Sequence, residues 1–377
     1  MDLAFNEQQE MLRKSARSFL SSKCPKEYVR EMEQDEKGYS PRLWQEMAQL
    51  GWIGMAFPEE YGGSGMSLVD LAVLLEEMGR ACLPGPFFST VLLGGLTILD
   101  AGSEEQKREF LPLIAQGKMI VTLALMEISA TYMAADISTR AIAEDDRFVI
   151  GGTKMFVPDA NVADYIICVA RTRESVVPED GVTLFLMDAR SQGISLSQLK
   201  SIALDKQCEV VLNNVKVPKE KTLGEMDKGW AEVEKGIERA AVAKCAEMVG
   251  GAQQVLEMST SYAKERVQFA HPIGSFQAIQ HHLANAAIDV DGARLVTYRA
   301  AWMLSEGLPC LKEVAVTKAW TSEAYKRIVA IGHQIHGGNA FMEDHDMQLY
   351  FRRAKAAELA FGDANFYREI VAKEMGL

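Results

Sequence analysis

The run Ile120-Val121-Thr122-Leu123-Ala124-Leu125 is where the chain changes its repeat. It is short, apolar and rich in β-branched residues. Similar runs follow at residues 148–150, 165–169, 182–187, 209–212 and 215–218, each bounded by turn formers. Strands at this spacing predict a compact antiparallel sheet or barrel. Upstream the period is helical. Leu12, Ala16, Phe19 and Leu20 form one stripe with charges between them. Pro41 opens a helix through Leu43-Trp44, Met47-Ala48 and Leu50, and Gly51 closes it. Further helices are expected at 68–78 and 91–99, and Ser103-Glu104-Glu105-Gln106 opens another as a capping box. Past Gly224 the helical period returns, with helices expected over 229–268, 276–307, 312–331 and 344–357 and a last one from Asn365. The pattern reads as an α+β multidomain chain: an N-terminal α-helical domain (1–117), a middle β-sheet or barrel domain (118–222) and a C-terminal four-helix-bundle domain (223–377).

Bulk properties narrow the function. A net charge of −12 argues against a nucleic-acid partner, which needs a basic surface. An anionic cofactor stays possible, because local arginines and helix N-termini hold phosphates. Six cysteines stand singly without ligand spacing, so reduced thiols and a cytoplasmic compartment are expected. Met1-Asp2-Leu3-Ala4-Phe5-Asn6-Glu7 lacks the basic and apolar regions of a leader. No apolar run reaches the ~20 residues of a membrane span, so no membrane insertion is expected.

Three motifs stand in order along the chain. Phe57-Pro58-Glu59-Glu60-Tyr61-Gly62-Gly63 is a turn-rich loop. Arg266-Val267-Gln268-Phe269 precedes Pro272 and Gln277-Ala278-Ile279-Gln280. Gln334-Ile335-His336-Gly337-Gly338-Asn339-Ala340-Phe341 follows. Across this α–β–α pattern, the chain resembles the acyl-CoA dehydrogenase family along essentially its whole length. The resemblance implies noncovalent FAD and an acyl-CoA substrate. A carboxylate would take the α-proton while flavin N5 accepts the β-hydride, and an electron-transfer flavoprotein would receive the electrons. It also implies a homotetramer. Arg266 would pair with the FAD pyrophosphate of a neighbouring subunit, and Gly337 and Gly338 would let backbone approach the ADP portion. Phe269, Gln277, Gln334 and Asn365 would complete the cofactor contacts, and Arg239 and Gly362 would contact substrate. Read without the family, Arg266 is a surface helix charge and the glycines a helix C-cap.

The family's usual base stands in a Tyr-Glu-Gly-Thr motif, matched here by Ala360-Phe361-Gly362-Asp363. Phenylalanine cannot accept a proton. A minority of the family places its glutamate on a long helix just before an arginine, and Gly236-Ile237-Glu238-Arg239 matches it. Counting helically from Glu238 reaches Ala241, Val242, Cys245 and Val249, an apolar stripe that would desolvate the carboxylate and strengthen it as a base. Glu238 could instead be a structural ion paired with Arg239 or a neighbouring helix. Asp363 is the second candidate base, or a cofactor contact, or simply a helix N-cap.

The flavin-ring contacts depart further. Met126 stands where the family has a threonine facing the ring, and Pro158 where it has one bonded to N5; Phe156 keeps an aromatic face in place of tryptophan. An adenine side that matches and a ring side that does not raise a second possibility: one subunit of a heterotetramer with a second acyl-CoA dehydrogenase-like chain. The resemblance associates a base moved in this way with bulky, cyclic or dicarboxylic acyl groups.

Overall fold

The computed structural model describes residues 5–377; the leader-free reading of the start rests partly on residues 1–4, which lie outside the described residues. The helices are α1 (Glu7–Lys23), α2 (Lys26–Gln34), α3 (Pro41–Gln49), α4 (Leu68–Ala81), α5 (Leu96–Ala101), α6 (Glu104–Ala115), α7 (Trp230–Glu265), α8 (Gln277–Ser305), α9 (Leu311–His336), α10 (Met347–Leu359) and α11 (Ala364–Glu374). The strands are β1 (Val121–Ala124), β2 (Arg140–Glu144), β3 (Arg147–Pro158), β4 (Tyr165–Arg171), β5 (Val182–Asp188), β6 (Ile194–Leu199), β7 (Gln207–Pro218), β8 (Thr222–Leu223), β9 (Val267–Gln268) and β10 (His271–Pro272). The expected capping box is present: the Ser103 hydroxyl accepts from Gln106 N and the Gln106 side chain accepts from Ser103 N.

The chain forms two compact units, Met1–Glu31 with Ser67–Leu83 and Ala241–Leu377, and Met32–Met66 with Pro84–Ala240. In the first, α4 and α7 meet backbone to backbone. A Cβ on Gly79 would lie 1.9 Å from the Glu247 carbonyl oxygen, and one on Gly250 would lie 1.7 Å from that of Glu76. Only glycine permits that crossing. Helix α9 runs beside α8, α10 and α11.

The second unit carries an eight-stranded sheet in the order β6-β7-β3-β2-β4-β5-β8, with β1 beside β4. Its core includes Phe148, Ile150, Ile166, Cys168, Phe185, Val210 and Leu212. Antiparallel pairing dominates, as expected, with two corrections: β1 runs parallel to β4, Val121 opposite Tyr165, and β2 meets β4 in parallel at Arg140 opposite Arg171. A parallel pair needs a long crossover, and residues 125–164 supply it. Residues 209–218, read as two runs, form the single strand β7. The helix expected at 91–99 is a π-helix, Phe88–Gly95, leading into α5, and both are buried. Among the described residues no helix is long and apolar enough to cross a membrane.

Candidate functional site

In the first unit, α9 ends at a left-handed glycine. Gly337 has φ +60°, and neither it nor Gly338 has a heavy atom within 4 Å of where a Cβ would stand. The space belongs to a cavity of about 510 Å³ lined by Gln334, Gly337, Gly338, His333, Phe341 and Gln348, with Ala330 and Phe351 completing it. His333 Nδ1 lies 2.9 Å from the Val329 carbonyl, and Phe341 and Phe351 approach its ring edge-on. Behind it His336 is buried and stacked on Tyr262 with ring centres 4.4 Å apart. Burial, then the nearby His345 and His333, brings His336 down to about 4, so it is a neutral packing group at physiological pH.

Arg266 and Phe269 lie at the β9–β10 hairpin and Gln277 begins α8, all three exposed. Phe269 is 87% exposed and touches Phe276 edge-on. The Arg266 backbone is fixed by bonds to Tyr262 and Ile273, while its guanidinium has no ion-pair partner among the described residues. This places an available cation on a rigid turn.

At the α10–α11 turn Phe361 and Gly362 both have positive φ, 59° and 102°. Asp363 caps α11, its carboxylate accepting from Phe366 N at 2.8 Å. The side chain is committed to the helix, which is the cap reading of the sequence. Asn365 is exposed and accepts from Arg368 at 3.0 Å.

In the second unit the register of β3 against β7 shifts between Lys154 and Val157. Phe156 sits in this bulge with φ +52° and is 47% exposed, a conformation that turns a bulky ring outward at a cost in strain. Met126 is half-buried, and its carbonyl accepts from Met155 N at 2.8 Å. The Pro158 carbonyl is taken by the Thr122 hydroxyl at 2.6 Å. Beneath them Lys154, 0% exposed, donates to the Leu125 carbonyl and the Glu127 carboxylate. Burial pushes Glu127 up, but Lys154 and hydrogen bonds from Ser138 and Thr139 outweigh it and hold the carboxyl at about 2.

Glu238 lies on α7, partly buried, on the face that leads to Ala241, Val242, Cys245 and Val249, all four fully buried. Burial, and secondly the Glu234 carboxylate one turn back, raises its pKa. It does not pair with Arg239. That guanidinium, 13% exposed, meets Asp100 of α5 at 2.8 Å, and Lys235 joins the same carboxylate at 2.6 Å. Arg239, expected to contact substrate, thus lies beside a carboxylate within its own chain, while its buried Nε and Nη2 make no hydrogen bond among the described residues.

Comparison with known proteins fits this geometry. Residues 6–118 match the acyl-CoA dehydrogenase N-terminal domain, 122–215 the middle domain and 227–376 the C-terminal domain. The chain is 31% identical to a probable acyl-CoA dehydrogenase, YngJ, of Bacillus subtilis (strain 168), over 100% of both chains. The chain belongs to the acyl-CoA dehydrogenase family. It is 30% identical to the caffeyl-CoA reductase-Etf complex subunit CarC of Acetobacterium woodii, over 98% of each. Among solved structures it is similar to the ChsE4-ChsE5 complex from Mycobacterium tuberculosis: TM-score 0.90, 27% identity, 100% of this chain and 99% of that one. As an acyl-CoA dehydrogenase family member it is a flavin-dependent oxidoreductase acting on CH–CH bonds, with FAD as cofactor.

The residues fit FAD unevenly. The open glycine cradle and the unpaired Arg266 suit a dinucleotide with a pyrophosphate. Phe156 offers a ring face, while Met126 and Pro158 offer no side-chain donor. Sequence reasoning missed His333, Gln348 and Phe351 of the cavity, which the glycine motif alone does not mark. It also missed Lys318, a charged residue buried in the stripe of Val314, Ala315, Ser322 and Tyr325 of α9.

Proposed function

We propose that this chain removes two hydrogens from carbons α and β of an acyl-CoA thioester, with Glu238 as the base for the α-proton. The observation that carries the reading is the state of Glu238: desolvated, facing Glu234, unpaired with Arg239 and raised in pKa. Phe361 offers no base, and Asp363 is spent on the α11 cap. Bound FAD supplies the hydride acceptor. Replacing Glu238 by Gln should lower kcat by about 10²–10⁴-fold while the flavin spectrum stays intact. Wild-type kcat/KM should rise with pH through a limb above the ordinary carboxylate range, because only the ionised carboxylate takes a proton. Dye reduction with a panel of acyl-CoAs measures both, and an unimpaired E238Q enzyme would end the assignment. The moved base supports bulky, cyclic or dicarboxylic acyl groups as substrates. The likeness to an Etf-complex subunit supports an electron-transfer flavoprotein as acceptor, and six buried free thiols suit a reducing cytoplasm.

The donor-poor seat at Met126 and Pro158 favours a second reading, a half-site subunit of a heterotetramer, to which the likeness to a two-chain complex adds support. The homotetramer keeps first place because backbone groups can replace lost side chains. Chain expressed alone that stays colourless with added FAD decides for the half-site subunit.

A further inference from the structure

Lys318 of α9 is 0% exposed. Its Nζ lies 2.8 Å from the Gly362 carbonyl, 3.0 Å from the Glu358 carbonyl and 3.2 Å from the Ser322 hydroxyl. Three acceptors meet the three donors of one ammonium. Glu358 belongs to the last turn of α10, whose carbonyls have no helical partner, so the cation sits at the negative end of that helix. The carbonyl between the two, that of Phe361, accepts from the Tyr367 hydroxyl at 2.7 Å. Two consecutive residues at positive φ thus have their carbonyls pinned by side chains from α9 and α11. A phenylalanine in that region is strained, and it persists only where its surroundings hold it.

We propose that Lys318 is a positioning residue for acyl-thioester turnover, its ammonium fixing the Phe361–Gly362 turn in the shape the substrate meets. The proposal rests on the acyl-CoA reading, which gives Gly362 its substrate contact. The charged and titratable groups that act on Lys318 come from α7, α10 and the α11 turn. Helix α7 brings Lys244 and Cys245, α10 brings Glu358, the α11 turn brings Asp363, and the Tyr367 ring stands 6.0 Å away. Burial pushes the Cys245 thiol up to about 11, so it stays neutral. Asp363 is turned to its own cap. Burial, reinforced by the Lys244 charge and only partly offset by the acidic neighbours Asp363 and Glu358, brings Lys318 down to about 8. Above that pH the amine keeps two donors for three acceptors.

The test uses the full-length flavoprotein and Lys318→Met, which keeps length and loses the donors. The variant should keep its flavin, lose about tenfold or more in kcat/KM, lose the alkaline decline of the wild type, and show faster amide exchange across residues 359–363. Wild-type exchange over the same residues, corrected for intrinsic rate, should accelerate between pH 7 and 9 more than elsewhere; this holds even if the variant does not fold. Unchanged exchange at the turn, or an unchanged kcat, KM and alkaline limb in folded Lys318→Met, would overturn the strut. Wild-type protein that turns over no acyl-CoA but shows the pH-dependent exchange would instead overturn the substrate reading alone.

Discussion

Lys154 and Lys318 are both wholly buried, one in each compact unit, and the chain accommodates their charge in opposite ways. Lys154 faces a carboxylate, Glu127, at 2.7 Å, and the pair is closed by Ser138 and Thr139. Lys318 faces two carbonyls and a hydroxyl. The consequence falls on different partners. In the sheet unit the acid is driven down, to about 2; in the helical unit the lysine itself is driven down, to about 8. A buried ion pair holds its geometry across the ordinary pH range, whereas a buried cation among neutral oxygens sits close to its own titration. The first suits a fixed bed beneath Met126 and Phe156. The second leaves its turn sensitive to pH.

The harshest way to break the comparison is Lys154→Met. It strands a carboxylate that is 5% exposed, and an uncompensated buried charge costs about 3–5 kcal/mol. Denaturant titration should show that loss, and Lys154→Met with Glu127→Leu should recover much of it, because the pair is then replaced by apolar volume. A single variant as stable as the wild type would mean that the ion pair contributes nothing to the sheet unit.

Such pairings explain what the sequence could and could not disclose. The stripe of Leu12, Ala16, Phe19 and Leu20 marks α1 because local period alone decides it. Helix α2 escapes because its nine residues are mostly polar, and β6 because four of its six residues are exposed. The parallel contact of β1 with β4 depends on a crossover that no local window contains. At the site, Gly337 and Gly338 are legible because glycine chemistry is local, and Glu238 because a carboxylate extends an apolar helical face. The Asp100 partner of Arg239 is not legible, since α5 and α7 meet only in the folded unit. The same holds for Lys318, whose acceptors are mostly backbone carbonyls and carry no sequence signature.

The two lysines also predict opposite pH slopes. Glu127 is depressed from 4.5 to about 2, so its contribution is complete above the unfolded value and drains away as pH falls toward the folded one. Lys318 is depressed from 10.5 to about 8, so between those values the unfolded chain holds a proton that the native chain has shed, and stability rises with pH. Each amounts to roughly 3 kcal/mol over its window. Denaturant midpoints at pH 3–5 and 8–10.5, compared with the Lys154/Glu127 double variant and Lys318→Met, isolate the two limbs. The alkaline limb carries the sharper consequence: stability climbs while turnover declines. Parallel loss of both would show that Lys318 is merely structural.

The smallest effect separates the cap from the charge at Asp363, the carboxylate of the α11 turn next to the lysine's Gly362 acceptor. Its oxygen accepts from Phe366 N, so Asp363→Ala should cost about 1 kcal/mol through the lost cap, while Asp363→Asn keeps an acceptor and should cost only a few tenths. Removing the negative charge also removes one of the influences that hold the Lys318 pKa up, so Asp363→Asn should move the alkaline limb of turnover to lower pH with the fold intact. Asp363→Asn that instead abolishes turnover at every pH, with its flavin retained, would return the base assignment to Asp363. The contrast between a cap and a catalyst is therefore decided by one oxygen-to-nitrogen exchange, read as a shift in one case and a loss in the other.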